Sequence, residues 1–250
     1  MDFPVLHSHL VAEAARFKSA VLAADPKAVV PCCPDWDVTG LVDHVVEVYD
    51  DKVASMRLLR EPVEADLPVR QGDVEARFDD ALAELLGEFA ARGPETLSYT
   101  WYGPDQTTGF WIRRMAQETL IHRVDAEQAA GLPVTVADGA LAADGVDEFF
   151  EVMMAWGSRA YREWVGGVLE ANDGLSIGFA TEGRAWTVSV TPEGIDVTDG
   201  LTSKARATVS GSAHEVLLWL WRRTSVEAVT VEGDKAAAVA FYDMADTFAQ

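Results

Sequence analysis

The chain has 250 residues, 49% of them hydrophobic, with eight Trp and ten Phe; that is enough apolar material for one large or two small packed domains, and it excludes a disordered chain. Twenty Lys plus Arg stand against 41 Asp plus Glu, a net charge of −21, which repels phosphate backbones and anionic lipid and so argues against nucleic acid and membrane surfaces as partners. The start, Met1-Asp2-Phe3-Pro4, carries no basic segment followed by an apolar run, and no stretch reaches the roughly 18–20 apolar residues of a membrane span. A cytoplasmic protein, monomer or homodimer, is the expectation.

In chain order, Leu6, Leu10, Ala14, Phe17 and Val21 recur at helical spacing, and Pro26 closes that segment. The loop Pro31-Cys32-Cys33-Pro34-Asp35-Trp36 follows, and then Asp37 or Thr39 caps a second helix with the apolar stripe Leu41, Val45, Val48. A third helix is expected over about 74–91, with Phe78, Leu82, Leu85, Leu86 and Phe89 on one side, and a fourth over about 109–130, ended by Gly131 and Pro133. Helical texture continues through 138–170. Alternating β-branched segments at 175–179, 186–190, 195–197 and 207–210 follow, then a helix from Ala213, a short strand at 229–231 and a last helix from Asp234. The fold class is therefore α+β: a four-helix bundle over 1–157 joined to a small α+β domain over 158–250.

The chemistry is concentrated on two helices. Steps of three and four along the fourth helix put Trp111, Met115, Glu118, His122, Asp125, Ala126 and Ala129 on one face. Glu118 and His122 then lie one turn apart in what reads as the bundle interior, where an unpaired carboxylate is costly. His44 lies beside Leu41 and Val45 on the second helix. A divalent metal ion accounts for all three, and two imidazoles with one carboxylate leave a coordination position open, the pattern of a catalytic zinc site. Spacing alone also allows ordinary readings: a hydrogen-bonded core histidine at His44 and a surface ion pair at Glu118 and His122.

At these residues the sequence resembles the mycothiol-dependent maleylpyruvate isomerase family, within the DinB-like group of metal-binding helical bundles. The likeness lies in Cys33-Pro34-Asp35-Trp36 leading to His44, in Glu118-Thr119-Leu120-Ile121-His122-Arg123-Val124-Asp125, and in Leu217-Leu218-Trp219-Leu220-Trp221. Asp35 and Gln117 depart from it, where Gly and His are common. The resemblance implies a DinB-like four-helix N-terminal domain, His44, Glu118 and His122 as metal ligands, and mycothiol or a similar low-molecular-weight thiol as cosubstrate. It also implies a small electrophile as partner and, for a dicarboxylate substrate, Arg223 as the cation. Arg222, Arg113 and Arg114 are the alternatives for that role, as are plain surface salt bridges for all of them.

Cys32 and Cys33 are adjacent, which rarely suits a disulfide, and are expected to be structurally buried. His7, His9 and His214 read as rim, surface or capping residues, and Trp219 and Trp221 as packing. The same ligand set would serve a cis–trans isomerase or a thiol S-transferase. A binding protein without turnover is the competing class; it predicts metal affinity but no thiol-dependent product.

Overall fold

The computed structural model describes residues 1–249. Its first compact unit, Met1–Thr135, is built from four helices: α1 (Phe3–Ala23), α2 (Val38–Leu58), α3 (Val74–Arg92) and α4 (Thr108–Ala129). α1 buries Leu6, Leu10, Ala14, Phe17 and Val21 as its spacing predicts, together with one charged residue, Glu13. α1 lies along α4, and α3 along α2. Gly109 permits the close approach of α1 to the start of α4, because a Cβ there would stand 2.6 Å from the Phe3 ring and 3.1 Å from the Pro94 carbonyl.

Two expected stripes are rotated slightly. α3 buries Phe78, Ala81, Leu85 and Phe89, leaving Leu82 and Leu86 half-buried at its edges. α2 buries Leu41, Val42, Val45, Val46 and Tyr49, while His44 and Val48 share a half-buried flank. The Pro-rich loop holds a short antiparallel pair, β1 (Val29–Val30) and β2 (Cys33–Asp37). Its end is fixed by Asp37, which caps α2 by accepting from the Gly40 N–H at 2.9 Å and receives the Lys27 ammonium at 2.8 Å.

The second unit runs from Val136 onward, so residues 136–157 fall within it, ahead of the 157/158 boundary expected from the change in sequence texture. The reason lies in its packing. α5 (Gly139–Glu148) continues as a π-helical stretch (Phe149–Trp156) and then α6 (Gly157–Ala160) and α7 (Arg162–Ala171). α5 packs on α8 (Ala213–Leu220), and the π-helical stretch packs on β5 (Gly194–Asp199). β3 (Ser176–Thr181), β4 (Arg184–Thr191), β5, β6 (Ala207–Ser210) and β7 (Thr230–Gly233) form one sheet in the order β5-β4-β3-β6-β7. Only the β3–β6 pair is parallel. Phe150, Phe179, Trp186, Trp219 and Phe241, the last from α9 (Lys235–Ala245), form the aromatic core of this unit. The α+β fold is thus a helical N-terminal unit followed by a small sheet-and-helix unit. Among the described residues, no helix is long and apolar enough to cross a membrane.

Candidate metal centre

α4 departs from ordinary helix composition. Its residues from Thr108 to Glu127 are buried, apart from Arg113 and Glu118, yet they include Arg114, Gln117, His122, Arg123, Asp125 and Glu127. Burying so many polar groups is tolerable only when each is paired. The pairings divide α4 into two polar edges.

On one edge Arg123, fully buried, donates from Nε to Glu13 on α1 at 2.8 Å, and from Nη1 to Glu127 at 2.8 Å and the Thr135 carbonyl at 2.7 Å. Glu127 also accepts from the Thr135 N–H and hydroxyl. This network ties α1, α4 and the segment after α4 together.

The other edge brings together the three residues expected to be ligands. One donor atom each from His44, Glu118 and His122 lie within 4.8 Å of one another. Glu118 Oε1 stands 3.4 Å from His44 Nε2 and 3.1 Å from His122 Nε2. Ligands bound at about 2.0–2.2 Å to one tetrahedral ion stand about 3.3–3.5 Å apart, so both spacings to Glu118 lie near those of a common ion. The group lies at the rim of the helices and not in mid-core, with side-chain exposures of 32% for His44, 18% for Glu118 and 8% for His122. That placement leaves a side on which a further ligand can enter.

Three neighbours hold the donors. Asp125, fully buried, accepts from His122 Nδ1 at 2.9 Å, which turns Nε2 toward Glu118 and fixes the ring as carboxylate–histidine pairs do in metal sites. Arg114 donates to Glu118 Oε2 at 3.1 Å, so the second carboxylate oxygen is engaged while Oε1 faces the histidines. Trp36, from β2, lays its indole against His44 with ring centroids 4.5 Å apart and planes inclined by 31°. Spacing alone reveals none of these three supporting roles, although Asp125 does lie on the helix face expected for it.

The electrostatics follow. Burial disfavours a charged His122, but the adjacent Glu118 carboxylate and the hydrogen bonds to Asp125 and Glu118 prevail and push its pKa up to about 9. Burial likewise works against the Glu118 carboxylate, yet the His122 charge, hydrogen bonds from both histidines and the Arg114 charge hold it well below the usual range. In the metal-free protein the centre is therefore an imidazolium clasped between two carboxylates.

Of the arginines considered for substrate binding, Arg222 adopts a left-handed backbone conformation (φ 62°). Its guanidinium lies 3.7 Å from the Tyr242 ring centroid, donating to the Tyr242 carbonyl and to Asp243. Arg223 is buried and donates to the Trp221 carbonyl at 2.8 Å. Cys32 and Cys33 are half-buried, less than expected, and the Cys32 thiol donates to Gln128 Oε1 at 3.2 Å. His7 and His9 are half-buried, and His214 Nδ1 accepts from the Ala137 N–H. Trp219 and Trp221 are packing residues, as expected.

A helical unit with a convergent His/Glu/His group at its rim, followed by a small α+β unit, defines a two-unit chain whose candidate metal centre lies in the first unit. The family comparison makes this specific. The mycothiol maleylpyruvate isomerase N-terminal domain matches residues 7–127 and the MDMPI C-terminal domain matches residues 140–240. The chain belongs to the mycothiol maleylpyruvate isomerase family. No curated protein and no solved structure matches it.

Proposed function

We propose that His44, Glu118 and His122 hold one divalent cation, zinc by the nature of the donors, and that the protein is a mycothiol-dependent enzyme acting on a small electrophile by cis–trans isomerisation. The observation that carries this reading is the convergence of two imidazole nitrogens and one carboxylate oxygen within 4.8 Å at a partly exposed rim, with both spacings to the carboxylate near those of a single ion. When bound, such a cation lowers the pKa of a thiol so that it is present as thiolate at neutral pH.

The chain's own groups set the conditions. Asp125 keeps His122 turned with Nε2 toward the centre, and Arg114 holds the outer oxygen of Glu118. The thiolate adds to one carbon of an activated cis double bond, the adduct turns about the new single bond, and expulsion of the thiolate leaves the trans alkene. Atoms balance without any redox partner. Arg223 is the proposed cation for a substrate carboxylate, the role the family resemblance implies for it.

Elemental analysis of protein purified without a metal-affinity step, beside His122→Ala, tests the reading. About one metal ion per chain, lost in the variant, together with mycothiol-dependent conversion of maleylpyruvate that a chelator stops, is the expected result. Absence of metal from the wild type even after zinc is added would overturn it, and metal without thiol-dependent turnover would leave a binding protein.

A further inference from the structure

The two histidines of the centre are held by different means. His122 has a buried carboxylate on its outer nitrogen. His44 has no such partner: among the described residues its polar contact is Nε2 with Glu118 at 3.4 Å, and no protein hydrogen bond reaches Nδ1. Two rings flank it. Trp36 lies against one side at 4.5 Å between centroids, and the edge of His122 meets it at 4.9 Å and 76°. An imidazole held only by one long contact at Nε2, with nothing on Nδ1, is loosely restrained about its χ angles unless packing fixes it.

Trp36 is itself fixed by the chain around it. It is the residue before the α2 cap, in a strand whose next residue, Asp37, is tied to Gly40 and Lys27 and paired in register with Val29. The indole rests on the first turn of α2, since a Cβ built at Gly40 would stand 3.9 Å from Trp36 Cδ1. Gly40 and His44 are one helical turn apart, so the ring extends from one to the other along the same helix face. Its centroid also lies 6.2 Å from that of His122. A surface tryptophan needs none of this.

We propose that Trp36 is the positioning residue of His44: its flat face replaces the missing hydrogen-bond partner, holds the imidazole with Nε2 toward Glu118, and forms one wall of the centre. The inference rests on His44 acting as a ligand, the reading given above. Trp36 acts through His44 and touches no reacting atom.

The test compares wild type, Trp36→Ala, Trp36→Leu and Trp36→Phe. Zinc affinity is measured by competition with a chromophoric chelator, cobalt(II) absorption in the visible serves as the signature of the coordination shell, and thermal melts of the metal-free proteins control for folding. Expected is a loss of zinc affinity of about 10–100-fold in Trp36→Ala, the range typical of groups that orient ligands. Trp36→Leu, which keeps apolar bulk but no flat face, should lose nearly as much and show an altered cobalt spectrum. Trp36→Phe should recover most of the affinity.

Equal zinc affinity in wild type, Ala and Leu variants would overturn the role of Trp36 while leaving the metal centre intact. That role is overturned equally if Leu rescues as well as Phe, or if affinity falls only in step with melting temperature. A wild type that takes up no zinc would overturn the centre itself and this inference with it.

Discussion

Asp125→Asn separates two effects that Asp125 has on His122, and they act in opposite directions on metal affinity. The carboxylate orients the ring and raises its basicity toward a metal, so its loss should weaken intrinsic zinc affinity about 10–100-fold, or about 1.4–2.7 kcal/mol. The same carboxylate helps raise the His122 pKa to about 9, so near pH 7 zinc must displace a proton from a ring that is only about 1% deprotonated. That competition lowers wild-type affinity about 100-fold at pH 7, two pH units at about 1.4 kcal/mol each, and nearly vanishes by about pH 9. In Asp125→Asn one of the two carboxylates that raise the pKa is gone, so the proton competes less. The deficit of the variant should therefore be small near pH 7 and grow toward its full size near pH 9. Zinc titrations against a chelator of known affinity, at several pH values between these limits, read it directly. A deficit that is constant with pH, or that shrinks as pH rises, would refute the assigned coupling between Asp125 and His122.

Two further outcomes follow from the buried charges of α4. Arg123→Met leaves Glu127, exposed only 5%, without its cation, and leaves Glu13, exposed 1%, with Arg16 alone at 2.6 Å. Removing one partner of a buried pair costs about 3–5 kcal/mol, so urea unfolding should show a loss of that order, and a loss below about 1 kcal/mol would mean the network is not dry. The metal-free protein should lose stability with rising pH, because the folded His122 pKa is raised: its contribution is complete below the unfolded value of about 6.5 and disappears as pH passes about 9. Melting curves with and without zinc check the sign. With zinc bound the trend should reverse, since the metal takes the deprotonated ring, and a metal-free melting temperature that rises over this interval would contradict the charged state assigned to the centre.

Much of the fold is legible in the sequence where periodicity and punctuation agree. The helix with Leu6, Leu10, Ala14, Phe17 and Val21 packs as its spacing says, and of the two possible caps, Asp37 and Thr39, it is Asp37 that bonds to Gly40. The His44, Glu118 and His122 group stands out because polar residues at interior positions need an explanation. The supporting residues are harder to see. An Asp three residues after a His looks the same whether the pair faces solvent or core, and only the burial of nearly all of α4 shows that Asp125 is enclosed with His122. The β1–β2 pair is hidden by Pro31 and Pro34, which argue against strands. The π-helical stretch Phe149–Trp156 is apolar nearly all round, so neither helical period leaves a mark on it. Trp36 falls in that same Pro-rich segment as β1 and β2, and its stacking on His44 depends on the angle at which the strand enters α2, which no spacing rule encodes.

The enclosure of α4 also bears on how a family with this fold can change. A helix with paired charges on one edge and metal-type donors on the other has almost no position that can be exchanged alone: altering Arg123 strands Glu127, and altering Asp125 releases His122. New substrates are therefore expected to arise through residues around the rim, such as the exposed Pro34 and Asp35, while Trp36 and α4 stay nearly fixed. For an engineer the order of work is the same: diversify the rim first, and treat α4 as a unit to be kept whole.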